Sequence, residues 1–314
     1  MSIKNKQEMK KALIFGITGQ DGIFLSSYLI KKNYQVYGYY RNLNKKKKLN
    51  NKVKLFYSKS LNKKLIFNLV RKITPDEIYY LIGESSSYYS FKNHLKTINT
   101  NFTYFTYIIN SCIEHNIKPK IFYASSGEIF GSNTRMIDEK TEKKPQNPYA
   151  LSKHITMIYI KYMRDFYNLN ISTGILFNHD SEYRSNLNFI KKITNYLNAN
   201  NFKKKLQLGN INLHRDFGLA KEYIVAMHKI NQQKKADDYI IATGKSINLR
   251  KLINYSFKIK NMNYKNYIQI NKSKYSNKEV KFKSVNISKI KKLNWKPRYT
   301  IFDLIKKLLT KDKF

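Results

Sequence analysis

The sequence predicts an α/β chain built on a doubly wound parallel sheet, with a smaller, mainly helical lobe. Three observations support that expectation. Short apolar runs rich in β-branched and aromatic residues alternate with helix-period segments from residue 12 to residue 177. The first run ends in Gly16, Gly19 and Gly22, three glycines at spacing three. Later runs stop abruptly in small residues, as buried parallel strands do at their carboxyl ends, where ligands bind in open α/β sheets.

The elements follow in order. Residues 12–15 form a short strand, the glycines a turn, residues 23–30 a helix and residues 34–39 a second strand. This strand–turn–helix–strand unit is a dinucleotide-binding βαβ, because glycines permit a tight turn and close approach of backbone to a pyrophosphate at the helix N-terminus. Residues 53–57 read as a third strand, 61–73 as a helix and 76–82 as a fourth strand ending in Gly83, Glu84 and Ser85. Residues 95–116 have helical period, with Leu95, Ile98, Phe102, Phe105, Ile109, Cys112 and Ile113 assigned to one face. A strand at 121–126, a helix from 148 and a strand at 171–177 complete a Rossmann-like domain over 1–177. Residues 178–314 are expected to build the substrate-binding lobe, interleaved with the first domain through a returning strand and helix near 237–258.

Composition narrows the class. Lys and Arg number 60 against 20 Asp and Glu, a formal net charge of +40. That charge invites a polyanion partner. Yet the excess is mainly lysine, spread over the whole length among many Asn, Tyr and Ile, and only 45–48 and 203–205 are compact runs. The pattern is that of an A/T-rich coding sequence, so nucleic acid is not an expected partner, although the field would draw in a nucleotide diphosphate. No apolar run approaches eighteen residues and the first ten are polar and basic, which argues against a signal peptide or membrane span and for a cytoplasmic location. The single Cys112 cannot form an internal disulfide. No metal site is expected.

The chemistry is concentrated in residues 121–153. Ser126 and Glu128 follow the strand, and Tyr149 and Lys153, four apart, open the next helix on one face. A lysine so placed favours the tyrosinate over a phenol of ordinary pKa about 10. Phenol, ammonium and hydroxyl together suit oxidation of an alcohol to a ketone. Cofactor choice is read at the end of the second strand, where an NAD enzyme places an acid. Here Tyr39, Tyr40 and Arg41 lead into a lysine run, and Arg41 suits the 2′-phosphate of NADP.

GITGQDG at 16–22, SSGEIFG at 125–131, PYALSK at 148–153, GILFNHDS at 174–181, GNINLHRDFGLAKEY at 209–223, DDYIIATG at 237–244 and LNWKPR at 293–298 resemble the motifs of the GDP-mannose 4,6-dehydratase family. That family belongs to the extended short-chain dehydrogenases/reductases, and the resemblance runs over residues 10–309. It implies an intramolecular redox dehydration of a GDP-sugar with NADP. Tyr149, held by Lys153, would deprotonate the C4 hydroxyl, Ser126 would bond that oxygen, and Glu128 would take the C5 proton while water leaves from C6. Gly16, Ile17, Thr18, Gly19, Gln20, Asp21, Gly22, Arg41, Leu81, Gly83, Ser85, Lys153, His179 and Arg184 fall where the family contacts NADP, and Asn178 and Arg215 where it contacts the substrate. It also implies a homo-oligomer, dimer or tetramer.

The chain departs from the family pattern in places. Ser126 replaces a Thr, Gly127 a Ser, Lys59 an Asp expected near adenine, and Tyr183 the first Arg of a pair. KYSNKEV at 274–280 lacks the expected Arg and Pro. Two other functions therefore stay open: the same chemistry on another nucleotide sugar such as a GDP-heptose, and a non-catalytic basic Rossmann binding protein.

Overall fold

The computed structural model describes residues 8–83, 87–271 and 282–310. The chain runs β1 (Lys11–Phe15), α1 (Gln20–Lys31), β2 (Gln35–Tyr40), β3 (Lys54–Tyr57), α2 (Lys63–Ile73), β4 (Glu77–Tyr80), α3 (Ser87–Lys92), α4 (His94–Ile98), α5 (Tyr104–Glu114), β5 (Lys120–Ser126) and β6 (Asn133–Ile137). It continues with α6 (Pro148–Tyr167), β7 (Ile171–Leu176), β8 (Asn178–Asp180), α7 (Phe189–Ala199), β9 (Leu206–Leu208), β10 (His214–Leu219), α8 (Ala220–Asn231) and β11 (Asp238–Ile241). The last elements are β12 (Ser246–Asn248), α9 (Leu249–Lys258), β13 (Ile268–Ile270), β14 (Phe282–Val285), α10 (Ser288–Lys291) and α11 (Ile301–Thr310).

Seven strands form one sheet in the order β11-β7-β5-β4-β1-β2-β3. Strand β1 lies inside it, and the chain winds outward first to one side and then to the other, the doubly wound pattern the sequence predicts. Pairing is parallel from β3 through β2, β1 and β4 to β5. Strand alternation sorts neighbouring tyrosines to opposite faces. Tyr80 stacks edge-on to Phe105 of α5 at 5.3 Å, while the Tyr79 hydroxyl lies 3.1 Å from His228 Nδ1 of α8.

The chain divides into two compact units. The first comprises residues 1–125, 147–174 and 227–238; the second comprises 126–146, 175–226 and 239–314. The chain thus passes between units five times, a finer interleaving than a break at residue 177. In the first unit, α2, α5 and α6 cover one sheet face with Ile66, Leu69, Phe105, Ile109, Ile160 and Met163. Buried Glu77 ties the 227–238 segment to the sheet, accepting hydrogen bonds from the Tyr34 and Tyr79 hydroxyls at 2.7 Å and from Gln232 Nε2 at 2.9 Å. Each donor offsets part of the cost of burying that carboxylate.

The second unit has its own core, in which α7, α9 and α11 pack Ile193, Leu197, Leu252, Phe257, Leu304 and Ile305 around β10. Helix α9 belongs here, so of the strand and helix expected to return near 237–258 only the strand joins the large sheet. Three small sheets in the orders β12-β10-β8, β13-β9 and β14-β6 also run through residues outside the large sheet. Their strands of three to six residues are too short to show a period in the sequence.

One helix differs from its sequence pattern. The helix predicted over 95–116 is interrupted by a π turn at Asn99–Thr103 between α4 and α5. The residue added at a π turn rotates the following stripe by about 100°. Phe105, Ile109 and Cys112 are therefore buried, whereas Leu95, Ile98 and Ile113 are exposed rather than on the core face. Elsewhere helices end on asparagine where glycine is usual: Asn33, Asn116, Asn168, Asn200, Asn261 and Asn294 all take positive φ between 49° and 63°. Asn is the residue after Gly that best tolerates this left-handed conformation.

Candidate active site

The glycine turn has a steric basis. Gly16 has φ +96°, and Gly19 N donates to Gly16 O at 2.9 Å to close the turn before α1. A Cβ on Gly22 would lie 2.4 Å from Gly16 O and 2.5 Å from Ile17 Cα, so only glycine lets α1 start this close to β1. Gly19, the N-cap residue, has no side chain to cover the first turn, which leaves backbone facing the space where an anion is favoured. Gly16 packs against the chain leaving β4, because its own Cβ would meet Ile82 N and Leu81 C at 3.0 Å. Ile17 is buried, Thr18 is half-buried, and Gln20 Nε2 donates to Asp21 Oδ1 at 3.2 Å. Arg41 is exposed at the end of β2. Ser85 and residues 274–280 lie outside the described residues.

Tyr149 and Lys153 sit in the first turns of α6, whose start is set locally. Asn147 caps it through Oδ1, which accepts from Ala150 N at 2.8 Å, and Pro148 occupies the first position, where no N–H is needed. The Lys153 side chain is fully buried and donates to Ala124 O at 2.7 Å. Its ammonium lies 4.8 Å from the centre of the Tyr123 ring. Burial pulls the Lys153 pKa from 10.5 down to about 7. A Cβ on Gly83 would lie 3.2 Å from Lys153 Nζ and 3.1 Å from Asn101 Oδ1, so the chain beyond β4, the π turn and α6 converge on one spot.

Asn101 is the residue here that sequence reasoning missed. Its carbonyl accepts from Tyr123 Oη at 3.0 Å and from Thr156 Oγ1 at 3.1 Å, and its Nδ2 donates to Ser152 Oγ at 2.8 Å. The signal was faint: a buried amide inside a helical run, where a polar side chain needs a specific partner. Asn101 lies within the π turn, a type of turn frequent at functional sites.

In the second unit, Ser126 opens a short turn over Gly127–Phe130, and its Oγ accepts from Glu128 N at 3.2 Å. Ser126 is buried and Glu128 half-buried. A Cβ on Gly127 would come within 2.9 Å of the Phe177 ring, so the Ser126–Glu128 turn lies beside the residue that precedes Asn178. Asn178 is exposed on β8. His179 is buried, its Nδ1 is 2.8 Å from Phe177 O, and it therefore donates there; its ring stacks on Tyr223 at 4.7 Å. Arg184 pairs with buried Asp180, Nε to Oδ1 3.1 Å. Arg215 is half-buried on β10, in the strand whose Phe217 and Gly218 pair with Asn178 and His179.

Asp216 also escaped the sequence analysis. It is 3% exposed, and its carboxylate accepts from Thr243 N and Thr243 Oγ1 at 2.8 Å and from Lys245 N at 3.1 Å. Burial raises its pKa to about 6 against those donors. Asp216 thereby fixes the turn between β11 and β12, the strand antiparallel to the one bearing Arg215. Cys112 is buried, and burial pushes its thiol up to about 12, which makes it inert. No group of three metal-ligating side chains occurs among the described residues, and none of their helices is long and apolar enough to cross a membrane.

The sheet order and the glycine turn define a dinucleotide-binding α/β fold of the short-chain dehydrogenase/reductase class. Solved structures agree on the fold. A UDP-glucose 4-epimerase of Thermotoga maritima, solved with UDP-glucose, superposes with TM-score 0.86 at 16% identity, covering 96% of this chain and 97% of that one. A dTDP-glucose 4,6-dehydratase of Bacillus anthracis, solved with NAD, gives TM-score 0.82 at 18% identity over 96% of each chain. In sequence, GDP-mannose 4,6 dehydratase 1 of Arabidopsis thaliana is 34% identical over 96% of this chain and 90% of its own length. The family profile described as GDP-mannose 4,6 dehydratase matches residues 13–308. The chain belongs to the GDP-mannose 4,6-dehydratase family.

Proposed function

We propose that the protein converts GDP-mannose to GDP-4-keto-6-deoxymannose with bound NADP, as a cytoplasmic hydro-lyase. One observation bears most of the weight: the family match spans residues 13–308, and within that span the chain carries Ser126, Glu128, Tyr149 and Lys153. A nicotinamide dinucleotide fits the turn of Gly16, Gly19 and Gly22, where Gly22 lets α1 start close against β1 and Gly19 leaves the first turn without a capping side chain. When bound, the nicotinamide would supply a reversible store for one hydride, a proton with two electrons, between C4 and C6 of the sugar.

The side chains do the rest. Tyr149 accepts the C4 hydroxyl proton, and Ser126 hydrogen-bonds the oxygen that becomes the ketone. Lys153 stabilises the phenolate by charge, and that phenolate in turn favours the ammonium form over the neutral amine that burial favours alone. The C4 ketone acidifies C5–H. Glu128 takes the C5 proton and returns it to the C6 hydroxyl, which leaves as water; a proton then re-enters at C5. The balance is substrate minus one water, with the dinucleotide unchanged.

Arg41 and the absence of an acid in 38–48 support NADP over NAD. Asn178 and Arg215 are assigned to the sugar and the diphosphate, His179 and Arg184 to the dinucleotide. Tyr183 in place of a family Arg favours one second reading, the same chemistry on another GDP-sugar. The test is mass spectrometry of the product from GDP-mannose and a panel of nucleotide sugars. Loss of one water from GDP-mannose, without net reduction of added NADP and abolished by Glu128→Gln, is expected. No product from GDP-mannose, or full turnover by Glu128→Gln, would refute the reading.

A further inference from the structure

We infer that Lys59 is a specificity-determining residue: with Arg41 it holds the 2′-phosphate of the dinucleotide, so that two cations on neighbouring strands, not one, select NADP over NAD. The inference rests on the dinucleotide reading above and deepens it. It starts from where β2 and β3 stop. The two strands run parallel, with Tyr39 opposite Phe56 and Tyr40 opposite Tyr57. One more bond, Ser58 N to Tyr40 O at 3.2 Å, carries the pairing to their carboxyl ends. Arg41 follows Tyr40 and Lys59 follows Ser58. Both therefore leave strands about 5 Å apart at the edge where open parallel sheets bind ligands.

The turn that bears Lys59 is held on both sides. Tyr39 Oη donates to Ser58 O at 3.2 Å, and Ser58 Oγ donates to Ser60 O at 2.8 Å. Burial raises the Tyr39 phenol pKa and the Arg41 charge opposes that rise, so the guanidinium lies within electrostatic reach of the hydroxyl that bonds Ser58. The two strand ends thus bring their cations to one place. Arg41 and Lys59 are exposed, and neither forms an ion pair among the described residues.

Charge decides what fits between them. Residues 22–75 hold 14 Lys and Arg and no Asp or Glu, the longest acid-free run in the chain. Two neighbouring cations without a counter-charge repel each other, and a phosphate monoester with close to two negative charges relieves that repulsion. Arg41 offers it a planar fork, and Lys59 a compact ammonium on a flexible four-carbon stem that can reach toward the next strand. The bare 2′-hydroxyl of NAD gives both side chains only a neutral, weaker acceptor. Lysine is common in this chain, so position matters more than residue type. Lys54 lies on the same strand but about 16 Å back along it, over the Tyr37 ring.

The test reads binding rather than turnover: fluorescence titration of the full chain, freed of co-purifying dinucleotide, with NADPH and with NADH in roughly 0.15 M salt. Lys59→Ala should weaken NADPH about tenfold, the weight of a hydrogen bond to a charged group, and leave NADH within about twofold. Lys59→Arg should keep the wild-type preference. Lys59→Asp should weaken NADPH about a hundredfold and tighten NADH, because a carboxylate repels the phosphate and accepts from the ribose hydroxyl. Lys54→Ala removes the same charge beyond the Debye length of about 8 Å and should leave both affinities in place. Unchanged NADPH affinity in Lys59→Ala, equal weakening of both dinucleotides, or an equal loss in Lys54→Ala would overturn the inference and leave the dinucleotide reading standing. A wild type that binds neither NADPH nor NADH would overturn both.

Discussion

The two units hold their candidate site residues by different means. In the first, Gly16, Gly22, Tyr149 and Lys153 are set by devices a few residues long: a glycine turn, an Asn cap and a proline at the first helical position. In the second, Asn178, His179 and Arg215 are set by pairings between segments far apart in sequence, β8 with β10 and β10 with β12. Local devices can be read from sequence and tolerate change around them. Long-range pairings cannot be read, and they make position depend on remote residues such as Asp216.

The largest expected effect separates chemistry from scaffold in the second unit. Glu128→Gln removes the proposed base at C5 and should lower turnover by about 10²–10⁴-fold. Because Glu128 lies in a short turn held by Ser126 and the backbone, the unfolding midpoint should hardly move. Equal loss of stability and activity would mean that the carboxylate is structural.

Lys153→Met tests the first unit and should move the two properties in opposite directions. Turnover falls by at least about 10²-fold, the usual range for groups that assist proton transfer. Stability rises, because a buried ammonium titrating near 7 rather than 10.5 is destabilising when the folded protein must keep it charged. That penalty is fully present below pH 7 and fades as pH rises toward 10.5, so the gain, on the order of 1–3 kcal/mol, should be largest at acidic pH. Denaturant melts of both proteins across pH 6–10 check the sign.

Gly22→Ala asks how rigid the local device is. Its Cβ would have to displace Gly16 O and Ile17, costing about 1–3 kcal/mol as overpacking does and weakening dinucleotide binding. Calorimetric titration with NADP and with NAD reads the loss, and shows which cofactor Arg41 favours.

The smallest effect concerns Asp216, the remote support in the second unit. Its pKa is raised to about 6, so the folded state holds this proton more tightly than the unfolded chain does. The stability it contributes is present below about pH 4 and lost as pH rises through 6. Relative to Asp216→Asn, wild type should lose on the order of 1–3 kcal/mol between pH 4 and pH 6.5. At neutral pH the variant should raise KM for the GDP-sugar more than it lowers kcat, since Arg215 lies on the same strand. An unchanged KM would break the proposed link between remote pairing and substrate contact.

These contrasts also explain what was legible beforehand. The sheet strands from β1 to β5 show in sequence because each is a short apolar run bounded by turn residues, and Tyr149 with Lys153 shows because helical spacing is local. Asn101 stayed hidden because one inserted residue in a helix leaves no compositional trace, and the same insertion leaves Leu95 and Ile98 exposed. Asp216 stayed hidden because its donors, Thr243 and Lys245, are fixed only once β12 pairs with β10. Asparagine at the helix ends misdirects a reader who searches for glycine stops.

The most direct test of the central claim uses GDP-mannose deuterated at C4, mixed with undeuterated substrate labelled with carbon-13 in the sugar. Internal redox dehydration predicts that deuterium reappears at C6 of the carbon-12 product alone. Deuterium lost to solvent or accumulated in free dinucleotide would contradict it.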